Sequence, residues 1–129
     1  MIVRVIDMDL SGLSADVQQF VSSSQTCVTP GKEYAVHAIS SYEKIIFALI
    51  IDDLSTPVFI PVRILEVIDG RIPDDWECNL SLGKGVDLVV GPRFIAGSLD
   101  SYGEMVDQEL QAVEQLWSRV HNVSDSNRE

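Results

Sequence analysis

Carboxylates are the reagent this chain holds in quantity. Asp52-Asp53 follow an apolar run, and Asp74-Asp75 with Glu77 flank Trp76. Clustered carboxylates can do three kinds of work. Two that face each other across a sugar can serve as the acid and base of glycoside hydrolysis. Several converging on one point can hold a hard cation. Spread over loops, they form an acidic surface for a basic partner. The calcium reading fails on spacing, because neither cluster has the alternating D-x-D-x-D-G order of such a loop. The other two need a geometry that spacing alone does not contain. Turn formation with solubility is the plain alternative.

Other chemistry is thinly supplied. His37 lies between apolar neighbours in a strand-like stretch, which suits a hydrogen-bonded strand residue better than a base. His121 sits where a helix should end, and a cation there suits the helix dipole. Neither has a second histidine at metal spacing, and HExxH is absent. Cys27 and Cys78 make no CxxC and read as two free, buried thiols, with a single bridge between them as the alternative. Cys78 in particular alternates with Trp76, Leu80 and Leu82 on an apolar strand face, so its sulfur is expected to be inert. There is no GxGxxG, no GxxxxGK[ST] and no GxSxG. The residues therefore call for no cofactor, no metal and no catalytic constellation. The expected contacts to a partner are Asp52, Asp53, Asp74, Asp75 and Glu77, with Tyr42, beside Glu43, as an aromatic anchor.

The elements that must carry these residues are short. Met1 to Asp7 reads as a first strand, and Ser14 can cap a short helix carrying Val17, Phe20 and Val21. Glu33 to Ser40 alternates, with Tyr34, Val36 and Ala38 on one side. Ser40 to Glu43 makes a tight connection. Lys44 to Ile51 is nearly all apolar, as a strand covered on both faces would be. Pro61 beside Val58 to Ile60 marks an edge or a bulge. Ile64 to Ile68 is another strand, and Asp69-Gly70 signals a hairpin. Trp76, Cys78, Leu80 and Leu82 form the cleanest apolar alternation, turned back by Gly83-Lys84-Gly85 onto Val86 to Val90. A single helix from about Ser101 to Val120 follows, with Ser101 and Glu104 as capping box. Its apolar stripe is Val106, Leu110, Val113, Leu116, Trp117 and Val120. From His121 the chain should fray.

The sum is an α+β chain whose mostly antiparallel, strongly curved sheet can curl into a small open barrel with the C-terminal helix packed on it. Residues 1–122 read as one domain and 123–129 as a polar tail. The length of 129 residues supports one sizeable core. The net charge of −11, from 20 acidic and 9 basic residues, argues against a phosphate-binding groove and against docking on an anionic membrane. The N-terminus lacks a basic region followed by a long apolar stretch, and the longest apolar run, Ile45 to Ile51, is too short to span a bilayer. The expected place is the cytoplasm.

Residues Thr29 to Trp76 resemble small bacterial proteins proposed as immunity proteins of polymorphic and contact-dependent growth inhibition toxin systems. The residues that carry the resemblance are Gly31-Lys32-Glu33-Tyr34 at a strand entry and Ile51-Asp52-Asp53 at a strand exit. Pro61 to Asp69, and Arg71 with Trp76, complete it. An acidic C-terminal helix also fits. The resemblance implies a protein that binds one cognate toxin domain, a nuclease being one such activity, and blocks it without any cofactor. A basic toxin surface would steer onto an acidic inhibitor. Two other readings stand beside it. One is a different acidic interaction module or nucleic-acid mimic; the other is a small hydrolase using the loop carboxylates.

Overall fold

The computed structural model describes residues 1–6, 15 and 27–126, with side chains described as far as residue 121. The expected short helix around Val17 to Val21 falls outside these residues. Among the described residues eight strands run in order: β1 (Ile2–Val5), β2 (Glu33–Ala35), β3 (Ala38–Tyr42), β4 (Ile45–Ile51), β5 (Pro57–Pro61), β6 (Leu65–Asp69), β7 (Glu77–Gly83) and β8 (Val86–Gly91). Three helices follow: α1 (Arg93–Ala96), α2 (Leu99–Val106) and α3 (Leu110–Ser126). The chain is α+β and every strand pair is antiparallel. The strands do not form one curled sheet. They divide into a three-stranded sheet, β2-β1-β6, and a five-stranded sheet, β5-β4-β3-β8-β7, neither closed into a barrel.

Three layers result. β4 lies between β3 and β5 and is covered on both faces, as its unbroken apolar run implies. Phe47 and Leu49 point into a core shared with Ile95, Tyr102, Met105 and Leu116 of the helices. Ala48 and Ile50 point the other way, to Val3, Val5, Tyr34 and Val36 of the small sheet. Leu49 and Ile50 are wholly buried, and each such side chain contributes about 1.5–3 kcal/mol relative to exposure. β5 ends the five-stranded sheet, where its two prolines deprive no neighbouring strand of a donor.

Five local expectations are corrected. Glu33 to Ser40 is not one strand in one sheet. The Val36 amide donates to Met1 O at 2.9 Å and the His37 amide to Leu49 O at 2.8 Å, so the chain changes sheets at that step. The tight connection after β3 is Glu43-Lys44, both with positive φ (52° and 67°), and Tyr42 is the last residue of the strand. Asp69-Gly70 is no hairpin: β6 pairs with β1, and Asp69 Oδ1 accepts the Arg71 amide at 3.0 Å as the chain leaves for the other sheet. On β7, Cys78 and Leu80 face solvent while Asn79 and Leu82 are half-buried. Ser81 causes the change, because its φ of 55° and the register shift between Leu80 and Gly83 mark a bulge, which reverses side-chain parity.

The fifth correction concerns the helix. It is two helices, α2 and α3, broken at Gln108, whose φ is 56°. The Gln108 side chain donates to Pro57 O on β5 at 2.8 Å, satisfying an edge-strand carbonyl. The cap of α2 is Ser98, whose Oγ accepts the Ser101 amide at 3.0 Å; Ser101 is inside the helix. Val106 and Leu110, expected on the buried stripe, are 44% and 70% exposed beside the break. α3 continues past His121 to Ser126. Among the described residues no helix is long and apolar enough to cross a membrane.

Candidate functional site

The acidic residues singled out by sequence are mostly engaged within the chain. Asp52 is 7% exposed, and its Oδ1 accepts the amides of Leu54 and Thr56, each at 2.9 Å. It builds the loop after β4 and presents little charge. Asp53 anchors the segment before β2. It takes hydrogen bonds from Lys32 Nζ (2.5 Å), Thr29 Oγ1 (2.6 Å) and Tyr34 Oη (2.9 Å). Led by the Lys32 bond, these hold its carboxyl down at about 2. Asp75 pairs in bidentate fashion with Arg119 of α3, and that guanidinium lowers its pKa. Glu77 receives Arg93 Nη2 at 2.8 Å. Asp74 is exposed on the same connection.

Tyr42 does not join them. It pairs with Ile45 at one end of β4, whereas Asp52-Asp53 follow Ile51 at the other. Strand rise puts the two ends ~20 Å apart, so the expected grouping of Tyr42 with Asp52 and Asp53 does not exist.

Tyr42 lines a different feature, a cleft of about 600 Å³ between the hairpin tips of the five-stranded sheet and α2. Phe47, Phe59, Val86, Leu99 and Tyr102 share its walls, with Gly103, Val106, Asp107 and Lys84. The aromatic wall is rigid: the Phe59 and Tyr102 rings meet edge to face with centroids 5.5 Å apart. The opposite lip is formed where two hairpins touch. The Glu43 amide donates to Gly85 O at 2.9 Å, and a side chain on Gly85 would strike Glu43 Oε1 at 2.8 Å. The exposed Glu43 carboxylate can swing aside, so the requirement for glycine in this lip comes from its φ of +85°.

On α2, Leu99, Tyr102, Gly103 and Val106 face the cleft, and Asp100, Gly103, Glu104 and Asp107 face a second hollow of about 410 Å³ that Glu109 completes. The two hollows share Lys84, Leu99, Gly103 and Asp107. Among the described residues Asp100, Glu104, Asp107 and Glu109 form no ion pair; the four pairs found are Lys32–Asp53, Arg71–Asp69, Arg93–Glu77 and Arg119–Asp75. Asp100, in the first turn of α2, suits the helix dipole, and Glu109 lies just before α3, but the spacing of the acids along α2 works against that helix. Asp100–Glu104 and Glu104–Asp107 are like charges at i,i+4 and i,i+3, costing about 0.2–0.5 kcal/mol each. Glu104 and Asp107 also sit at the negative end of α2, which has no basic residue in its last turn.

Gly103 is equally uneconomical for folding. It is inside α2, and a side chain built there would have nothing within 4 Å. Glycine in a helix interior costs about 0.5–1 kcal/mol relative to alanine. These four acids and this glycine were missed by weighing loop carboxylates first. The signal was present as carboxylates at helical spacing from Asp100 to Asp107.

Elsewhere, His37 is half-buried and borders a small hollow of about 300 Å³ with Met1, Pro73 and Arg119. Burial, then the charges of Arg119 and the N-terminal amine, lower its pKa to about 4. Among the described residues no three His, Cys, Asp or Glu side chains are placed to hold a metal. Comparison with protein-family models, with curated proteins and with solved structures gives no match.

Proposed function

We propose that this chain is a toxin-neutralising immunity protein that binds a basic toxin domain in the cytoplasm and blocks it. The observation that carries the reading is a set of carboxylates on and just after α2 that form no ion pair among the described residues: Asp100, Glu104, Asp107 and Glu109. Glu104 and Asp107 weaken the end of α2 at which they sit, so folding does not account for these two. They do suit a cationic partner, which complementary potential steers into place. The resemblance of residues 29–76 to immunity proteins supports the same reading. The carboxylates expected from sequence at Asp53, Asp75 and Glu77 are held by the chain's own cations, so the contact surface centres on α2 instead. A toxin that acts on nucleic acid would present the required basic surface.

The test is capture of a partner from lysate of the source organism on the tagged chain, with salt elution. The expected partner is one basic polypeptide from the end of a large secreted protein, whose growth inhibition the chain relieves on co-expression. Reversing Asp100, Glu104 and Asp107 to Lys should slow association at least tenfold and flatten its salt dependence. An association rate that ignores these reversals sinks the reading.

A further inference from the structure

We infer that the apolar cleft beside α2 receives a protruding apolar side chain from a cationic segment of a protein partner. The inference rests on the acid-guided binding reading above and names the place and chemistry of the contact.

Three observations carry it. The cleft has an aromatic wall held by the Phe59–Tyr102 contact, and Tyr42 stands at its mouth, 39% exposed. That is the make-up of an anchor pocket, where a large apolar group is desolvated inside a polar rim. The rim fixes the sign of the occupant. Asp107 belongs to both hollows, with Asp100, Glu104 and Glu109 beyond it, against Lys84 as the cation among the described lining residues. A segment with Lys or Arg flanking its apolar residue complements the four carboxylates. The third observation is Gly103. Its backbone is ordinary helix and nothing crowds its missing side chain. What the glycine supplies is open volume where the cleft and the acidic rim meet. A larger residue would fold as well or better and would close the site.

The probe is a short synthetic peptide with a central Leu-Phe pair flanked on both sides by Lys and Arg. It is titrated into the full chain and followed by amide chemical shifts. Matched peptides carry Gly-Ser at the centre, or Glu at the flanks. Saturable shifts centred on Gly103, Val106 and Val86 are expected, at least tenfold weaker for the Gly-Ser peptide and absent for the Glu peptide. Gly103→Leu should unfold at a denaturant midpoint no lower than the wild type and bind the peptide at least tenfold more weakly. Gly103→Ala should keep most of the affinity, because one methyl leaves the mouth open. Shifts elsewhere, no saturable shift, equal binding by the Gly-Ser peptide, or wild-type binding by Gly103→Leu each overturn the cleft inference and leave the acid-guided reading standing. A Glu-flanked peptide that binds as tightly as the cationic one contradicts that reading itself, and the choice of occupant with it.

Discussion

The Tyr102 hydroxyl donates to Ser40 Oγ at 3.0 Å across 62 residues of sequence, with Ser40 wholly buried and Tyr102 6% exposed. The bond ties α2 to β3 directly beneath the cleft. Burial raises the Tyr102 pKa, more than the Ser40 bond lowers it, so the phenol stays a neutral donor. The same ring meets Phe59, so one side chain fixes the cleft wall to both the middle and the edge of the five-stranded sheet.

Tyr102→Phe keeps the ring and removes the donor. The expected loss is about 1 kcal/mol, because a buried hydroxyl at Ser40 is left without this partner. Ser40→Ala in the Tyr102→Phe background should recover part of it, giving a coupling on the order of 1 kcal/mol in a double-mutant cycle. Urea unfolding of the four proteins measures this. Strict additivity would mean the two groups do not interact in solution.

Asp52 separates structure from contact. Its Oδ1 serves two amides, so Asp52→Ala strands the Leu54 and Thr56 N–H groups and should cost about 1–3 kcal/mol. Asp52→Asn retains a carbonyl acceptor at the same place and should cost less than about 1 kcal/mol. Partner capture should survive the Asn substitution unchanged, since Asp52 shows little surface. A stable Asp52→Asn protein that no longer captures its partner would return Asp52 to the binding face.

Period and turn chemistry made part of this fold readable. The run Ile45–Ile51 announced a strand covered on both faces, and Gly83-Lys84-Gly85 announced a hairpin; both exist. The failures come from residues whose type hides their conformation. Gln108 and Ser81 adopt positive φ although neither is glycine, so the helix break and the β7 bulge carry no composition signal. Asp69-Gly70 has hairpin chemistry, but β6 is recruited by β1, far back in the sequence, where Val5 pairs with Leu65 and Ile2 with Asp69. The site was legible only in part. Tyr42 was named, yet its company was misread, because distance along the chain does not show that Asp52-Asp53 lie at the far end of β4. The cations that neutralise Asp53, Asp75 and Glu77 come from other elements. The carboxylates on and just after α2 become distinctive only once the fold gathers them around one hollow.

The bulge at Ser81 has a chemical consequence at Cys78. With side-chain parity reversed, the thiol is exposed and not buried as the alternation implied. A disulfide-exchange reagent should modify the native chain rapidly at Cys78, and Cys78→Ser should remove that fast phase. Reaction only after denaturant is added would restore the buried assignment and contradict the β7 register.

His37 sets the acid side of the stability profile. Its folded pKa of about 4 lies below the ordinary 6.5, chiefly through burial, with Arg119 and the N-terminal amine adding repulsion. Between those two values the unfolded chain binds a proton that the folded chain refuses, so stability falls as pH drops from about 6.5 to about 4. The full shift corresponds to about 3 kcal/mol, an upper bound for a half-buried ring. Asp53 and Asp75 act in a separate window. Their folded pKa values are depressed, so the stability they add is present above the usual 3.8 and is lost only below it. His37→Gln should therefore flatten the profile between pH 6.5 and 4 and leave the loss below 3.8 in place. Urea midpoints measured across that range check it. A wild-type profile that is already flat from 6.5 to 4 would show that His37 takes up its proton without cost, and that the step between β2 and β3 is wetter than its packing implies.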